Sequence, residues 1–262
     1  MPDYALLDQP VLLDFLFFPR RELRPAPSGS FDFRVQVEAE NDIFVHCRFY
    51  PGNKEWPWLL YFHGNGEVVS DYDEFSRLYN AQRINLVVAD YRGYGGSKGS
   101  PTFVHLVEDA HRIFRAVREE LSRREFNPEL WLMGRSLGSI SALELAFHYQ
   151  QEVRGLVIES GFASLTRLIK GLELPADYRV MEPIEQECLQ MLREIKLPAL
   201  VIHGEEDNLV YLREGKLVFE QLGSQEKEML VIPGAGHNDV VIMDLPRYFG
   251  AIAGLVHGKG KE

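Results

Sequence analysis

Leu130-Trp131-Leu132-Met133-Gly134-Arg135-Ser136-Leu137-Gly138 is the stretch on which the fold turns. Its first four residues are apolar throughout, the pattern of a short strand buried on both faces. Residues 137–149 then carry a helical rhythm of apolar positions. A serine caught between a buried strand and a helix sits on a sharp turn with little room beside it. Gly134 and Gly138 meet that demand, because a Cβ at either place would crowd the turn or the adjacent strand and helix. The helix N-terminus also aims backbone N–H groups at negative charge developing nearby. This strand–Ser–helix context is that of a nucleophile elbow, and it makes Ser136 the candidate nucleophile.

Outward from the elbow, similar apolar runs recur at 58–62, 84–89, 156–158, 199–202 and 229–232, with helical patterns at 103–124, 212–222 and 240–256. Alternating strands and helices predict an α/β fold with a mostly parallel, doubly wound sheet. Residues 31–50 read differently, as two alternating strands flanking Ala39-Glu40-Asn41-Asp42, which predicts an antiparallel hairpin at a sheet edge. Between 161 and 197 two helical pieces, 164–172 and 183–195, stand where one is expected, with Pro175 and Pro183 at the join. They predict either a small helical lid or a single irregular crossover. Leu165, Leu168, Ile169, Leu172 and Leu174 there serve either an acyl pocket or the core face of the lid helices. No linker divides residues 1–262, which are expected to form one domain, and the tail from Gly258 is expected to be disordered.

Ligands of such sheets bind beyond the carboxyl ends of the strands. A serine hydroxyl needs a base to take its proton during attack. His237, in Pro233-Gly234-Ala235-Gly236-His237, directly follows the last strand and is the candidate base. His46 falls in a strand, His105, His111 and His148 fall in helices as surface or structural residues, and His257 has no strand to position it. His203 helps shape the next loop. That loop, Gly204-Glu205-Glu206-Asp207, follows the penultimate strand and offers three carboxylates to orient the base. An oxyanion hole is expected from the backbone N–H of Leu137 and that of Asn65 in His63-Gly64-Asn65-Gly66, with Gly66 the alternative donor. The loop Asp90-Tyr91-Arg92-Gly93-Tyr94-Gly95-Gly96-Ser97 lacks the phosphate-binding Lys-Ser/Thr pair and glycine spacing. It reads as a tight loop packed beside the elbow, its backbone tied by Asp90 and Arg92, with Tyr91 and Tyr94 lining an acyl or leaving-group pocket.

A formal charge of −11 argues against nucleic acid as a partner. Of the two basic clusters, Arg20-Arg21-Arg24 and Arg123-Arg124, the second sits at a helix end and suits the helix dipole. No window reaches the roughly 18 apolar residues of a membrane span, and residues 11–18 lack the marks of a secretory signal. Cys47 and Cys188 lie in dissimilar contexts without Cys or His neighbours at metal-ligand spacing, so no disulfide is expected. A cytoplasmic setting fits that usage.

Taken together, His63-Gly64-Asn65-Gly66, the Asp90–Ser97 loop, Gly134–Gly138, Asp207 before Asn208-Leu209-Val210, and Gly236-His237 resemble α/β-hydrolase-domain proteins of the small-lid type. That group includes eukaryotic protein depalmitoylases and many uncharacterised bacterial hydrolases. The resemblance implies the α/β-hydrolase fold and places the acid at Asp207, with Glu206 the fallback. The resulting order of serine, acid and histidine is the one this fold uses. It implies hydrolysis of a small-molecule carboxylic ester or thioester through an acyl-enzyme, with no metal or organic cofactor. A peptidase or an acyltransferase on the same triad, and a non-catalytic binding protein of the same fold, are the rivals. Two departures touch the pocket: Glu67-Val68 stand where the family carries a small residue and a second Asn, and Tyr211 stands where a proline is common. The N-terminal cysteine cluster of the depalmitoylases has no counterpart here, so a palmitoyl-protein substrate is not expected. Because a histidine base accepts a proton only when neutral, hydrolysis of a p-nitrophenyl ester is predicted to rise between about pH 6 and 8; a rate flat across that interval would contradict the assignment.

Overall fold

A computed structural model describes residues 2–258. The chain opens with a 3-10 turn, Tyr4–Leu7, and helix α1 (Pro10–Leu16). Strands β1 (Phe31–Glu38), β2 (Ile43–Tyr50) and β3 (Trp58–Phe62) follow, then a 3-10 turn at Val69–Tyr72, α2 (Ser76–Ala81) and β4 (Asn85–Ala89). The middle comprises α3 (Phe103–Arg123), β5 (Leu130–Arg135), a 3-10 turn at Ser136–Gly138, α4 (Ser139–His148) and β6 (Leu156–Glu159). Helices α5 (Leu165–Gly171) and α6 (Tyr178–Glu194) form the insertion before β7 (Ala199–Gly204). The chain closes with α7 (Leu212–Gln221), β8 (Lys227–Ile232), α8 (Val240–Met243) and α9 (Leu245–His257).

The eight strands lie in the order β1-β2-β4-β3-β5-β6-β7-β8. The β1–β2 and β2–β4 pairs are antiparallel and the other five are parallel. This is the α/β-hydrolase fold with the expected edge hairpin and helical lid insertion. Within the hairpin, β1 shows the alternating burial of an edge strand, whereas β2 lies between two neighbours and is buried almost throughout. The sheet divides two cores by strand parity. Trp58, Leu60, Phe62, Leu130 and Leu132 join the core with α3 to α7, whereas Leu59, Tyr61, Trp131 and Met133 join the one with α2 and α9.

Two boundaries differ from expectation. Helix α6 starts five residues before Pro183, capped by the Asp177 carboxylate on the Arg179 N–H at 3.1 Å, so Pro183 lies inside it. The proline leaves the Arg179 carbonyl without its helix partner, at an exposed turn of the helix. The expected helix over 240–256 is broken at Asp244, which caps α9 through the Arg247 N–H at 3.1 Å; Pro246 cannot continue a helix from α8. The apolar lid residues serve the core: Leu165, Ile169 and Leu174 are buried in it, while Leu172 is exposed. The tail beyond Gly258 lies outside the described residues.

The N-terminal arm is fastened to the body by polar contacts. Asp8 accepts from the Phe103 N–H at 2.6 Å and the Val104 N–H at 3.4 Å, and Thr102 accepts from the His105 N–H at 3.1 Å. Three N–H groups of the first turn of α3 are thereby satisfied, two of them by a residue 95 positions away. Asp8→Ala is expected to cost about 1 kcal/mol of stability in urea denaturation, the usual price of a lost cap; an unchanged midpoint would show that the contact contributes nothing.

Candidate active site

Strand β5 delivers Ser136 into the turn with a φ of 50°, the left-handed region that a side chain rarely adopts. The two glycines are needed for close approach. A Cβ on Gly134 would overlap the Gly138 carbonyl and come within 2.7 Å of Ser139 Cα. One on Gly138 would run into the Phe62 carbonyl and stand 2.8 Å from that of His63. The Ser139 hydroxyl donates to the Ser136 carbonyl at 2.6 Å and holds the turn.

The loop after β8 brings His237 Nε2 to 3.0 Å from Ser136 Oγ. Its Nδ1 stands 2.7 Å from Asp207 Oδ2. A carboxylate can only accept, so Nδ1 carries the proton and the Nε2 lone pair faces the serine hydroxyl. Asp207 is itself fixed: Oδ1 accepts from the Leu209 and Val210 N–H groups at 3.0 and 2.8 Å. His203 Nε2 reaches the Val210 carbonyl at 2.7 Å and Asp207 Oδ2 at 3.4 Å, so His203 does shape this loop. Burial alone would raise the Asp207 carboxyl, but the hydrogen bonds from His203 and His237 and the loop amides hold it well below the usual carboxylate range. Glu206 is exposed, and its backbone N–H donates to the Ala235 carbonyl at 2.8 Å.

The backbone N–H groups expected to serve as oxyanion donors are those of Leu137 and Asn65. Leu137 occupies the first turn of its helix, where N–H groups have no internal partner. The Asn65 N–H donates to no group among the described residues. The Asn65 side chain acts as a clamp: Oδ1 accepts from the Phe18 N–H at 3.0 Å and the Tyr94 hydroxyl at 2.7 Å, and Nδ2 donates to the Leu16 carbonyl at 2.9 Å. Tyr91 donates to the His63 carbonyl at 2.5 Å, and Asp90 Oδ1 meets His63 Nε2 at 3.2 Å and the Val69 N–H at 2.9 Å. Tyr91 and Tyr94 are therefore buried braces of this loop and not the walls of an acyl pocket. Arg92 does not tie its own loop either; it pairs with Asp109 at 2.7 Å and Glu38 at 3.0 Å, and Arg21 holds the Ser97 carbonyl at 2.6 Å.

Arg135, the residue before the serine, was not legible as a functional group. Its buried guanidinium donates to Glu67 at 2.6 Å, Glu159 at 3.2 Å, the His237 carbonyl at 2.9 Å and Asn238 Oδ1 at 2.9 Å. Glu67 in turn accepts from the Gly64 N–H at 2.6 Å and the Tyr72 hydroxyl at 2.7 Å, and Glu159 from the Tyr248 hydroxyl at 2.6 Å. Burial would raise Glu67, yet the Arg135 charge keeps its carboxyl low; at Glu159 burial prevails and the carboxyl is raised. The signals in the sequence are Glu67 directly after the glycine loop and Glu159 closing the apolar run Leu156-Val157-Ile158. A cavity of about 150 Å³ adjoins this network, lined by Tyr61, Tyr72, Tyr79, Tyr248 and Arg135 but not by Ser136, Asp207 or His237.

A family model described as Serine aminopeptidase, S33 matches residues 57–185 and 178–241. Protein bem46 of Schizosaccharomyces pombe is 28% identical over 241 residues, spanning 90% of this chain and 75% of that protein. Human alpha/beta hydrolase domain-containing protein 17B is 30% identical over 202 residues, spanning 76% of this chain and 65% of that protein. The Pyrococcus furiosus esterase Pf2001 superposes with a TM-score of 0.73 at 17% identity, covering 91% of this chain and 98% of that one, a likeness of fold.

Removing a buried cation strands the carboxylates around it. Arg135→Met is expected to lower stability by about 3–5 kcal/mol in urea denaturation, and adding Glu67→Gln should recover part of that loss. A single variant within about 1 kcal/mol of the parent would show that the network carries little.

Proposed function

We propose that this chain, which belongs to the serine aminopeptidase S33 family of α/β-hydrolases, cleaves a carboxylic ester or thioester through an acyl-enzyme, with Ser136, His237 and Asp207 as its triad. The observation that carries the reading is the relay from Asp207 Oδ2 through His237 to Ser136 Oγ, at 2.7 and 3.0 Å. In this reading Ser136 Oγ attacks the acyl carbon as His237 Nε2 takes its proton. The Leu137 and Asn65 N–H groups receive the oxyanion, and the ionised Asp207 stabilises the imidazolium. His237 then protonates the leaving alkoxide or thiolate. A water, deprotonated by the same nitrogen, attacks the acyl carbon and releases the acid, and Ser136 recovers its proton.

Supporting the reading, the depressed carboxyl of Asp207 keeps its charge at every pH where the imidazole is neutral. No described helix is long and apolar enough to cross a membrane. Both cysteines are free and buried, which suits the reducing cytoplasm that belongs to the proposal, as does action by residues 1–262 as one domain. The family's description favours a second reading, removal of an N-terminal amino acid from a peptide. The two are separated by running p-nitrophenyl butyrate beside aminoacyl p-nitroanilides.

Ser136→Ala and His237→Ala are expected to lower turnover by roughly 10⁶, and Asp207→Asn by roughly 10⁴, with circular dichroism unchanged. A fluorophosphonate probe should label the parent and not Ser136→Ala. Equal rates in parent and Ser136→Ala, or a folded parent that the probe leaves unlabelled, would overturn the triad and favour a binding protein.

A further inference from the structure

We propose a metal site, separate from the serine, in which His111 Nε2, Glu144 Oε1 and His148 Nε2 bind one divalent transition-metal ion, with Zn²⁺ the best fit. His111 lies on α3, and Glu144 and His148 lie one turn apart on α4. Among the described residues this trio places its three donor atoms within 4.8 Å of one another.

The Glu144 carboxylate is fully buried, and neither of its oxygens makes an aligned hydrogen bond. A buried carboxylate ordinarily gathers donors around it. Two imidazoles approach it as ion-pair contacts, His148 Nε2 at 2.8 Å and His111 Nε2 at 3.4 Å from Oε1. Tetrahedral zinc with bonds of about 2.0–2.1 Å sets neighbouring ligand atoms roughly 3.3 Å apart. The two separations bracket that spacing, and the two imidazole nitrogens lie within 4.8 Å of each other. Two imidazoles and one carboxylate are also a donor set that Zn²⁺ prefers to Mg²⁺ or Ca²⁺.

The ring of His111 is already oriented for the task. Its Nδ1 stands 2.9 Å from the Tyr149 hydroxyl, which also accepts from Arg115 at 3.3 Å. With Nδ1–H donated there, Nε2 carries the lone pair and faces Glu144, the arrangement that supporting residues impose on metal-bound histidines. The C-terminal end of α4 adds the partial negative charge of its last carbonyls. His111 and His148 side chains are 21% and 32% exposed, which leaves a way in from solvent and a fourth position for water. Bound there, an ion would cross-link α3 to the helix that begins directly behind Ser136.

The test uses full-length protein, freed of any histidine tag and stripped with chelator, titrated with ZnCl₂ by calorimetry and with CoCl₂ by visible absorption. One equivalent should bind, Co²⁺ should give a tetrahedral d–d band, and a hundredfold excess over Kd should raise Tm by about 5 °C or more. His148→Ala and Glu144→Gln should each weaken binding at least about a hundredfold, and Tyr149→Phe about tenfold. His148→Ala, at a half-exposed position, keeps the test sound if Glu144→Gln fails to fold, and its ester hydrolysis without metal should match the parent. Absence of stoichiometric binding, or binding that His148→Ala leaves intact, would overturn the site and make the trio a structural contact between α3 and α4.

Discussion

A buried guanidinium must be met by acceptors on every side, and Arg135 meets that requirement by drawing three separate loops to one point. The turn that projects Ser136 also projects its neighbour, so whatever Arg135 binds is registered to the nucleophile. Glu67 belongs to the loop carrying Asn65, Glu159 ends β6, and the His237 carbonyl belongs to the proposed base itself. Moving any of these loops by an ångström would strand a charge in a medium of low dielectric. Gly64 fits the same constraint, because a Cβ there would collide with the guanidinium. Glu67 looked like a departure from the family's oxyanion motif; in the folded chain it is half of the device that positions that motif.

The sheet was legible because its central strands are apolar runs without interruption, and burial on both faces demands that composition. The places of Ser136, Asp207 and His237 were legible for a related reason. Each follows a strand directly, so its location depends on a few residues of local chain. For the acid, the residues alone left Glu205, Glu206 and Asp207 open and the family resemblance chose Asp207; in the folded loop Asp207 accepts from the Leu209 and Val210 amides.

What escaped reading is whatever joins distant segments. Arg135 meets Asn238 across 103 positions and Glu67 across 68. No periodicity records such a pair. The tyrosines of the glycine loop misled for the opposite reason, since aromatic rings near a site suit a pocket wall as well as a brace. Their hydroxyls are spent on the His63 carbonyl and Asn65 Oδ1, which decides for the brace. The lid leucines follow the same logic: two short helices laid over a sheet must first bury their own apolar faces before they can offer any surface to a ligand.

Asn65 also gives the site a history in time. Its amide grips Leu16 and Phe18 from 49 and 47 positions away, and Asp8 waits for a partner 95 positions downstream. Contacts of such long span form late, because the loops they close are costly in entropy. The segment around Leu16 and Phe18 and the loop carrying Asn65 therefore hold one another in place, and neither is fixed until the chain between them has closed.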